Sequence, residues 1–356
     1  MTLAHPTAPP DVAPDLLAKL ADRAEAADEN PDWPAESWDL LRRIGAVAWG
    51  VPASAGGADL DPVSLLGGYE RLAGACLTTT FILSQQDAAV RRVREHGQGR
   101  FWHDLLAATA RGERYLTVGL SQLTTSRQHQ GPSLTAELLP DGGLVLNGLV
   151  PWVTGADRAD AVIVGAVCAD GRQVLAGLPP GPGVTVGPPL PLMALTGSRT
   201  AQVQCEAVRL GPEWRLAGPA PQVLSSGGRR GGAGGLETSC LALGLAGAAV
   251  DHLHHEAEAR PELRPVAERF ERARQTLRGD LHGLAAGGGA PDVALALRVR
   301  ANTLVLQATQ AALTASKGAG FVRPHPAQRW ARQALFFLVW SCPRPAAEAV
   351  LQQLSP

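Results

Sequence analysis

The segment LNGLVPWVTGADRADAVIV (146–164) joins two β-rich runs, LVLNGLVPWVT (144–154) and AVIVGAV (161–167), through a short polar stretch. Both runs have the length and the branched and aromatic content of strands rather than helices. Similar runs flank them: YLTVGL and LTAELL upstream, QVLAGL, VTVG and AQVQCEAVRL downstream. Pro140-Asp141-Gly142-Gly143 separates two of these runs with turn chemistry that marks a hairpin. Seven or so strands in succession predict a small β-barrel or sandwich over residues 113–224.

The segments on either side change period. Over residues 1–112 the apolar positions recur at helical spacing, as in Leu16, Leu17 and Leu20 and then Trp38, Leu41 and Ile44. Helix starts are signalled at Pro34 in PAESWDLLRRIG and at Asp61-Pro62, an acidic cap before proline at the first helical position. Between them VPASAGGADLDP (51–62) reads as a loop. The third zone, 225–356, opens with the Gly-rich SSGGRRGGAGG (225–235) and continues as four long helical patterns, with a second Gly-rich break at 287–289. The expected fold class is therefore α+β and multidomain: helical, then β, then a four-helix bundle.

A chain of 356 residues exceeds the size at which one core stops growing. Its 32 Lys and Arg balance 33 Asp and Glu, leaving no field to attract nucleic acid or an anionic membrane. Five widely spaced cysteines, Cys76, Cys168, Cys205, Cys240 and Cys342, form no C-x-x-C pair and no disulfide framework. No apolar stretch approaches the ~20 residues needed to span a bilayer, and the N-terminus carries no signal-peptide pattern. The sequence reads as a soluble, unprocessed cytoplasmic protein acting on a small molecule.

This order of zones resembles the acyl-CoA dehydrogenase family, a flavoprotein group that includes related flavin monooxygenases, over roughly residues 10–354. GAVAWGVPASAGGADLDPVSLLGGYERLA is similar to the family's helix, Pro and Gly-Gly turn, and following helix. VGLSQLTTS (118–126) stands where the family has Ala-Leu-Thr-Glu-Pro and Gly-Ser, and 146–164 resembles its Asn-Gly-x-Lys-x-Trp-Ile-Thr-Asn run. The resemblance implies FAD as cofactor. A flavin needs apolar cover on one ring face and hydrogen-bond donors where charge accumulates on reduction. By resemblance Trp152 would cover the ring, Thr154 would donate to its N5 edge, Val153 would also belong to the cofactor-binding residues, and Ser121 and the backbone around Leu120 would hold the pyrimidine side. Taken singly, Trp152 reads rather as a core aromatic and Ser121 as a turn residue; occurring together at the family's spacing, they read as flavin contacts. LALGLAGAAVDHLHHEAEAR (241–260) is similar to a family helix ending in arginine, which implies a pyrophosphate role for Arg260, commonly across a subunit interface. Gly318 and Gly320 match the family's Gly-Gly-x-Gly-Tyr turn.

Departures cluster near the chemistry. Lys317, Thr314, Phe270 and Gln333 replace the family's glycine, two glutamines and aspartate, and Trp340-Ser341-Cys342 occupies its Tyr-Glu-Gly positions. Ser341 thus stands where the family has its general base, and an unassisted hydroxyl is a very poor proton acceptor. Some family branches place the glutamate at the start of the helix leading to Arg260; in register that is Gly234, with Glu237 one turn later. Glu237 is the candidate relocated base, or a first-turn acid favoured by the helix dipole.

Three functions follow as expectations: α,β-dehydrogenation of an acyl-CoA thioester within fatty acid metabolism, monooxygenation with reduced flavin from a partner reductase, or a flavin-binding or interaction protein without catalysis. The resemblance implies electron-transfer flavoprotein or flavin reductase as partner and a homodimer or homotetramer. His252, His254, His255 and Glu256 read as a solvated helix face rather than a metal site, and Arg229-Arg230 as part of a linker rather than a phosphate loop.

Overall fold

The computed structural model describes residues 12–124, 131–225, 235–287, 291–340 and 344–355. Ser341, Cys342, Gly234 and the Arg229-Arg230 pair lie outside them.

The first zone holds α1 (Pro14–Asp22), α2 (Ala24–Glu29), α3 (Ala35–Arg43), α4 (Pro62–Ala75), α5 (Leu77–His96) and α6 (Gly99–Ala110). Asp61 starts α4, accepting hydrogen bonds from the amides of Val63 and Ser64 at 3.0 and 3.1 Å, with Pro62 where no amide is needed. Pro34 stands at the cap position of α3. Segment 51–62 is irregular apart from one short 3-10 turn at Ala53–Ala55.

Eight strands follow: β1 (Leu116–Gly119), then, after the one-turn helix α7 (Ser121–Thr124), β2 (Leu134–Leu138), β3 (Leu144–Val153), β4 (Ala161–Cys168), β5 (Gln173–Leu178), β6 (Val184–Val186), β7 (Ala201–Leu210) and β8 (Arg215–Ala220). They form one sheet in the order β6-β7-β3-β2-β4-β5-β8, with β1 parallel to β4 beside β2. β2 and β3 make the hairpin, Leu138 opposite Leu144, and Gly142 takes φ +87° while Asp141 Oδ1 accepts from the Gly143 amide at 2.9 Å. The inner strand β4 is buried on both faces. Val162, Val164 and Ala166 join Leu134, Leu146, Val150 and Val203 in one core, whereas Ala161 and Ile163 pack with Leu116, Val90 and Trp102 from α5 and α6 in another.

Local chemistry shapes β3. Its ladder to β7 slips between Leu146 and Gly148 and again between Val150 and Val153. At the first slip Gly148 has φ +119° and a Cβ there would meet Ser133 O at 2.2 Å, so only glycine fits; Asn147 Oδ1 takes up the freed amide of Ala207 at 2.7 Å. At the second, Pro151 has no amide to give the ladder, and the bulge turns Trp152 outward, leaving it 38% exposed between buried Val150 and Val153.

The last zone contains α8 (Leu236–Ala259), α9 (Arg264–Gly287), α10 (Pro291–Ala315), α11 (Lys317–Gly320), α12 (Pro326–Val339) and α13 (Arg344–Leu354). SCLALGLAGAAV (239–250) is apolar or small all round, the mark of a helix buried on every side. α8 accordingly lies inside, its Leu243, Ala246 and Val250 sharing one core with Tyr69, Leu72 and Phe81 of α4 and α5 and Ala308 and Phe337 of α10 and α12. Gly244 sets the closest approach, since a Cβ there would meet Glu70 O at 2.4 Å and Ala73 Cβ at 2.8 Å.

Asp28 ties the zones together. It is 0% exposed, and Oδ1 accepts from the Leu195 amide and from Gln333 Nε2, both at 2.8 Å, while Oδ2 takes Arg332 Nη1 at 2.7 Å. α2, the loop between β6 and β7, and α12 meet on that carboxylate. No helix among the described residues is long and apolar enough to cross a membrane.

Two substitutions test this packing. Gly244→Ala is expected to lower stability by about 1–3 kcal/mol through overpacking against α4. Asp28→Ala is expected to cost about 3–5 kcal/mol by leaving the Leu195 amide and the Gln333 side chain without their acceptor and Arg332 with Glu29 as its remaining carboxylate partner. Urea unfolding followed by far-UV circular dichroism measures both.

Candidate active site

A cleft of about 1490 Å³ runs between α4, α5, α8, the β zone and the end of α12. Its β wall carries Leu120, Ser121, Trp152 and Thr200, and its helical wall Tyr69, Asp87, Arg91 and Glu237. Trp340, next to the family's base position, lines it too, in edge contact with Phe81 at 4.8 Å.

The structure brings Leu120, Ser121, Trp152 and Glu237 to this one cleft. Ser121 sits at the start of α7, one residue after β1, and its buried hydroxyl has no hydrogen-bond partner among the described residues. Trp152 is presented by the Pro151 bulge. Val153 points into the sheet core, and Thr154 is 1% exposed, its hydroxyl 3.3 Å from the Thr200 hydroxyl, which in turn lies 2.9 Å from Ser198 Oγ. Thr200 carries that chain of hydroxyls to the cleft surface. An orphaned hydroxyl, an outward indole and a hydroxyl chain on one wall are the donors and the apolar cover that a flavin ring requires. The residues present therefore fit the group.

Arg260, Gly318 and Gly320 gather elsewhere. Arg260 ends α8 paired with Glu256, and Glu256 Oε1 lies 3.7 Å from His252 Nε2. That nitrogen also contacts Ser316 Oγ at 2.8 Å, beside α11. This cluster does not line the cleft.

On the helical wall Glu237 forms an ion pair with Arg91. Burial alone would push the Glu237 carboxyl up, but the Arg91 charge, a backbone hydrogen bond and Arg92 together hold it below the usual carboxylate range. Asp87, one turn before Arg91 on α5, has the opposite character. It accepts a hydrogen bond from Tyr69 on Oδ2, while Oδ1 is buried without a partner. Burial pushes its carboxyl up to about 7 despite the Tyr69 hydrogen bond and the Arg91 charge, which act the other way, with Glu237 adding to the rise. Tyr69 is raised well above the ordinary phenol value by burial and by Asp87. The sequence signal for this pair is slight: a lone aspartate inside the helical run TTTFILSQQDAAV.

Comparison with known proteins agrees with this geometry. Residues 14–113 match the family model for the acyl-CoA dehydrogenase N-terminal domain. The chain thus resembles the acyl-CoA dehydrogenase family, most directly over residues 14–113. It is 25% identical over 240 residues to a probable acyl-CoA dehydrogenase, YngJ, of Bacillus subtilis, covering 65% of this chain and 63% of that one. It is 29% identical over 162 residues to HsaA, the oxygenase subunit of a flavin-dependent monooxygenase of Mycobacterium tuberculosis, covering 45% and 37%. The chain thus spans less than two thirds of either relative. Butyryl-CoA dehydrogenase from Megasphaera elsdenii shares the fold, with a TM-score of 0.83 at 19% identity over 96% of both chains. Relatives within the family include both dehydrogenases and monooxygenases.

Asp87 gives a pH signature. Its carboxyl keeps its proton to about pH 7 when folded and loses it near the ordinary 3.8 when unfolded. Between those values the folded state holds more protons, so this group's contribution falls as pH rises, by up to ~1.4 kcal/mol per unit, and levels off above the folded value. Asp87→Asn is expected to remove that slope, read from urea melts of both proteins between about pH 5 and about pH 8.

Proposed function

We propose that this protein is an FAD-dependent oxidoreductase that holds the cofactor against Leu120, Ser121, Trp152 and Thr200, with Thr154 behind Thr200 and Val153 turned into the sheet core, and oxidises a small molecule bound between that wall and α4, α5 and α8. The supporting observation is the single cleft that carries both the flavin-type donors of the β wall and a helical wall with the buried Asp87 carboxylate beside the Arg91–Glu237 ion pair. When bound, the cofactor supplies the redox chemistry. The chain supplies the rest: the Ser121 hydroxyl and the Thr154–Thr200 hydroxyls orient the ring edge, Trp152 covers it, and the helices exclude water. Arg260, Gly318 and Gly320, away from this cleft, fit the role of completing the cofactor site of a neighbouring subunit in a homodimer or homotetramer.

The first chemistry is α,β-dehydrogenation of an acyl-CoA thioester, with electrons passed on to an electron-transfer flavoprotein. YngJ and the N-terminal domain match support it. It needs a proton acceptor, and Glu237 is engaged by Arg91. We assign Glu237 to holding Arg91 in place, so that it acts as a positioning residue. That same ion pair favours a second chemistry, monooxygenation with reduced flavin supplied by a reductase, which calls for no carboxylate base.

The visible spectrum of the purified protein with FAD, before and after anaerobic addition of an acyl-CoA panel, tests the assignment. A yellow protein is expected. Bleaching supports the dehydrogenase, oxygen uptake with reduced flavin and no bleaching supports the monooxygenase, and failure to take up flavin sinks both. Glu237→Gln is expected to keep most of the bleaching rate, whereas loss of a general base costs about 10²–10⁴-fold.

A further inference from the structure

Among the described residues the cleft is lined by five carboxylates, Asp59, Asp61, Asp87, Glu95 and Glu237, and four guanidiniums, Arg91, Arg92, Arg94 and Arg332. Arg91 is paired with Glu237, Arg92 with Glu95, Arg94 with Asp59, and Arg332 with Asp28 and Glu29. Asp61 is used as the cap of α4. Asp87 has only the Tyr69 hydroxyl, on one oxygen. Its other oxygen is buried, has no partner, and belongs to a side chain that is 7% exposed and lines the cleft. A buried carboxylate oxygen without a donor is costly unless something else supplies one.

Gly50 leaves the space beside that oxygen free of a side chain. A Cβ at position 50 would stand 3.0 Å from Asp87 Oδ1, and the residue lies on the cleft. Gly50 is not in the left-handed region, so its backbone does not require glycine; the space beside the carboxylate does. With Asp87 ionised, the local cluster of Asp87, Arg91 and Glu237 carries a net charge of −1, from two carboxylates and one guanidinium. A single positive charge completes it. Leu65, Phe81 and Leu241 line the same cleft with apolar surface.

From these features we infer that the cleft binds an amphipathic amine, its ammonium donating to Asp87 Oδ1 beside Gly50 and its apolar body lying against Leu65, Phe81 and Leu241. The inference rests on the cleft being the substrate site and belongs with the second of the two chemistries, monooxygenation, whose substrate it narrows to a molecule bearing a primary ammonium. Charge-assisted hydrogen bonds in a partly desolvated site are the stronger kind, and an alcohol of the same shape offers a donor without the charge. The groups that face Asp87 are Tyr69 from α4, Arg91 from its own helix and Glu237 from α8. As Asp87 ionises, amine binding tightens, so affinity rises as pH rises through about 7.

The test is calorimetric titration of the full-length protein, with FAD present, using phenethylamine and its neutral isostere 2-phenylethanol. At about pH 8 the amine is expected to bind about tenfold or more tightly than the alcohol. Asp87→Asn should abolish that preference, and Gly50→Ala, which leaves Asp87 in place but crowds its free oxygen, should reduce it. Equal affinity for the two probes, no binding of either, or a preference that survives Asp87→Asn overturns the inference. Flavin uptake, measured by absorbance on the same samples, reads the functional assignment separately. Protein that takes up FAD without preferring the amine fails this inference alone, and protein that prefers the amine without taking up FAD fails the assignment alone.

Discussion

A buried carboxylate must find donors, and at Asp28 that requirement organises the molecule. The side chain sits on α2, has no solvent, and takes its donors from the loop before β7 and from α12. These donors come from two other zones of the sequence, so none of the three elements that meet at Asp28 can shift without leaving a buried charge incompletely satisfied. The backbone pays locally for this geometry: Leu195, whose amide binds Asp28, has φ +61°, and Arg199 has φ +47° with its guanidinium on Asp157. Ala194, Leu195 and Arg332 also line the cleft. The clamp therefore fixes part of the cleft wall as well as the packing of the zones.

What that clamp holds together is a cleft with two dissimilar walls. The β wall offers hydroxyls and an indole whose positions follow from ladder irregularities at Gly148 and Pro151. The helical wall offers ionisable groups whose protonation is set by burial and by one another. Glu237 and Asp87 lie on the same cleft, yet one is held ionised by a guanidinium and the other is pushed toward neutrality. Such divergence between neighbouring carboxylates is a common property of sites that discriminate among ligands.

Much of this was legible in the sequence where the cause is local. Asp61-Pro62 announces the start of α4, Asp141-Gly142-Gly143 the β2–β3 turn, and the change from period 3.6 to period 2 the order of the zones. Trp152 was legible through its resemblance to a family motif, and its outward direction has a local cause in Pro151. Asp87 was not legible, because its meaning depends on Tyr69, 18 residues earlier, and on Glu237, on another helix. Gln333, which reads from sequence as a departure from the family's aspartate, proves to be one of the donors to Asp28. Its role is invisible until residues some 305 positions apart are brought together.

The core shared by α4, α5, α8, α10 and α12 has a further consequence for how the molecule is made. Leu72 and Phe81 are translated early, but the surfaces that cover them come from Leu243, Ala308 and Phe337. During synthesis the N-terminal helices must wait, with apolar faces uncovered, until nearly the whole chain has emerged. Contacts of such long sequence separation form late and slowly. The sheet, whose ladders close between neighbouring stretches of chain, can order first and serve as the surface on which the two ends of the polypeptide find each other.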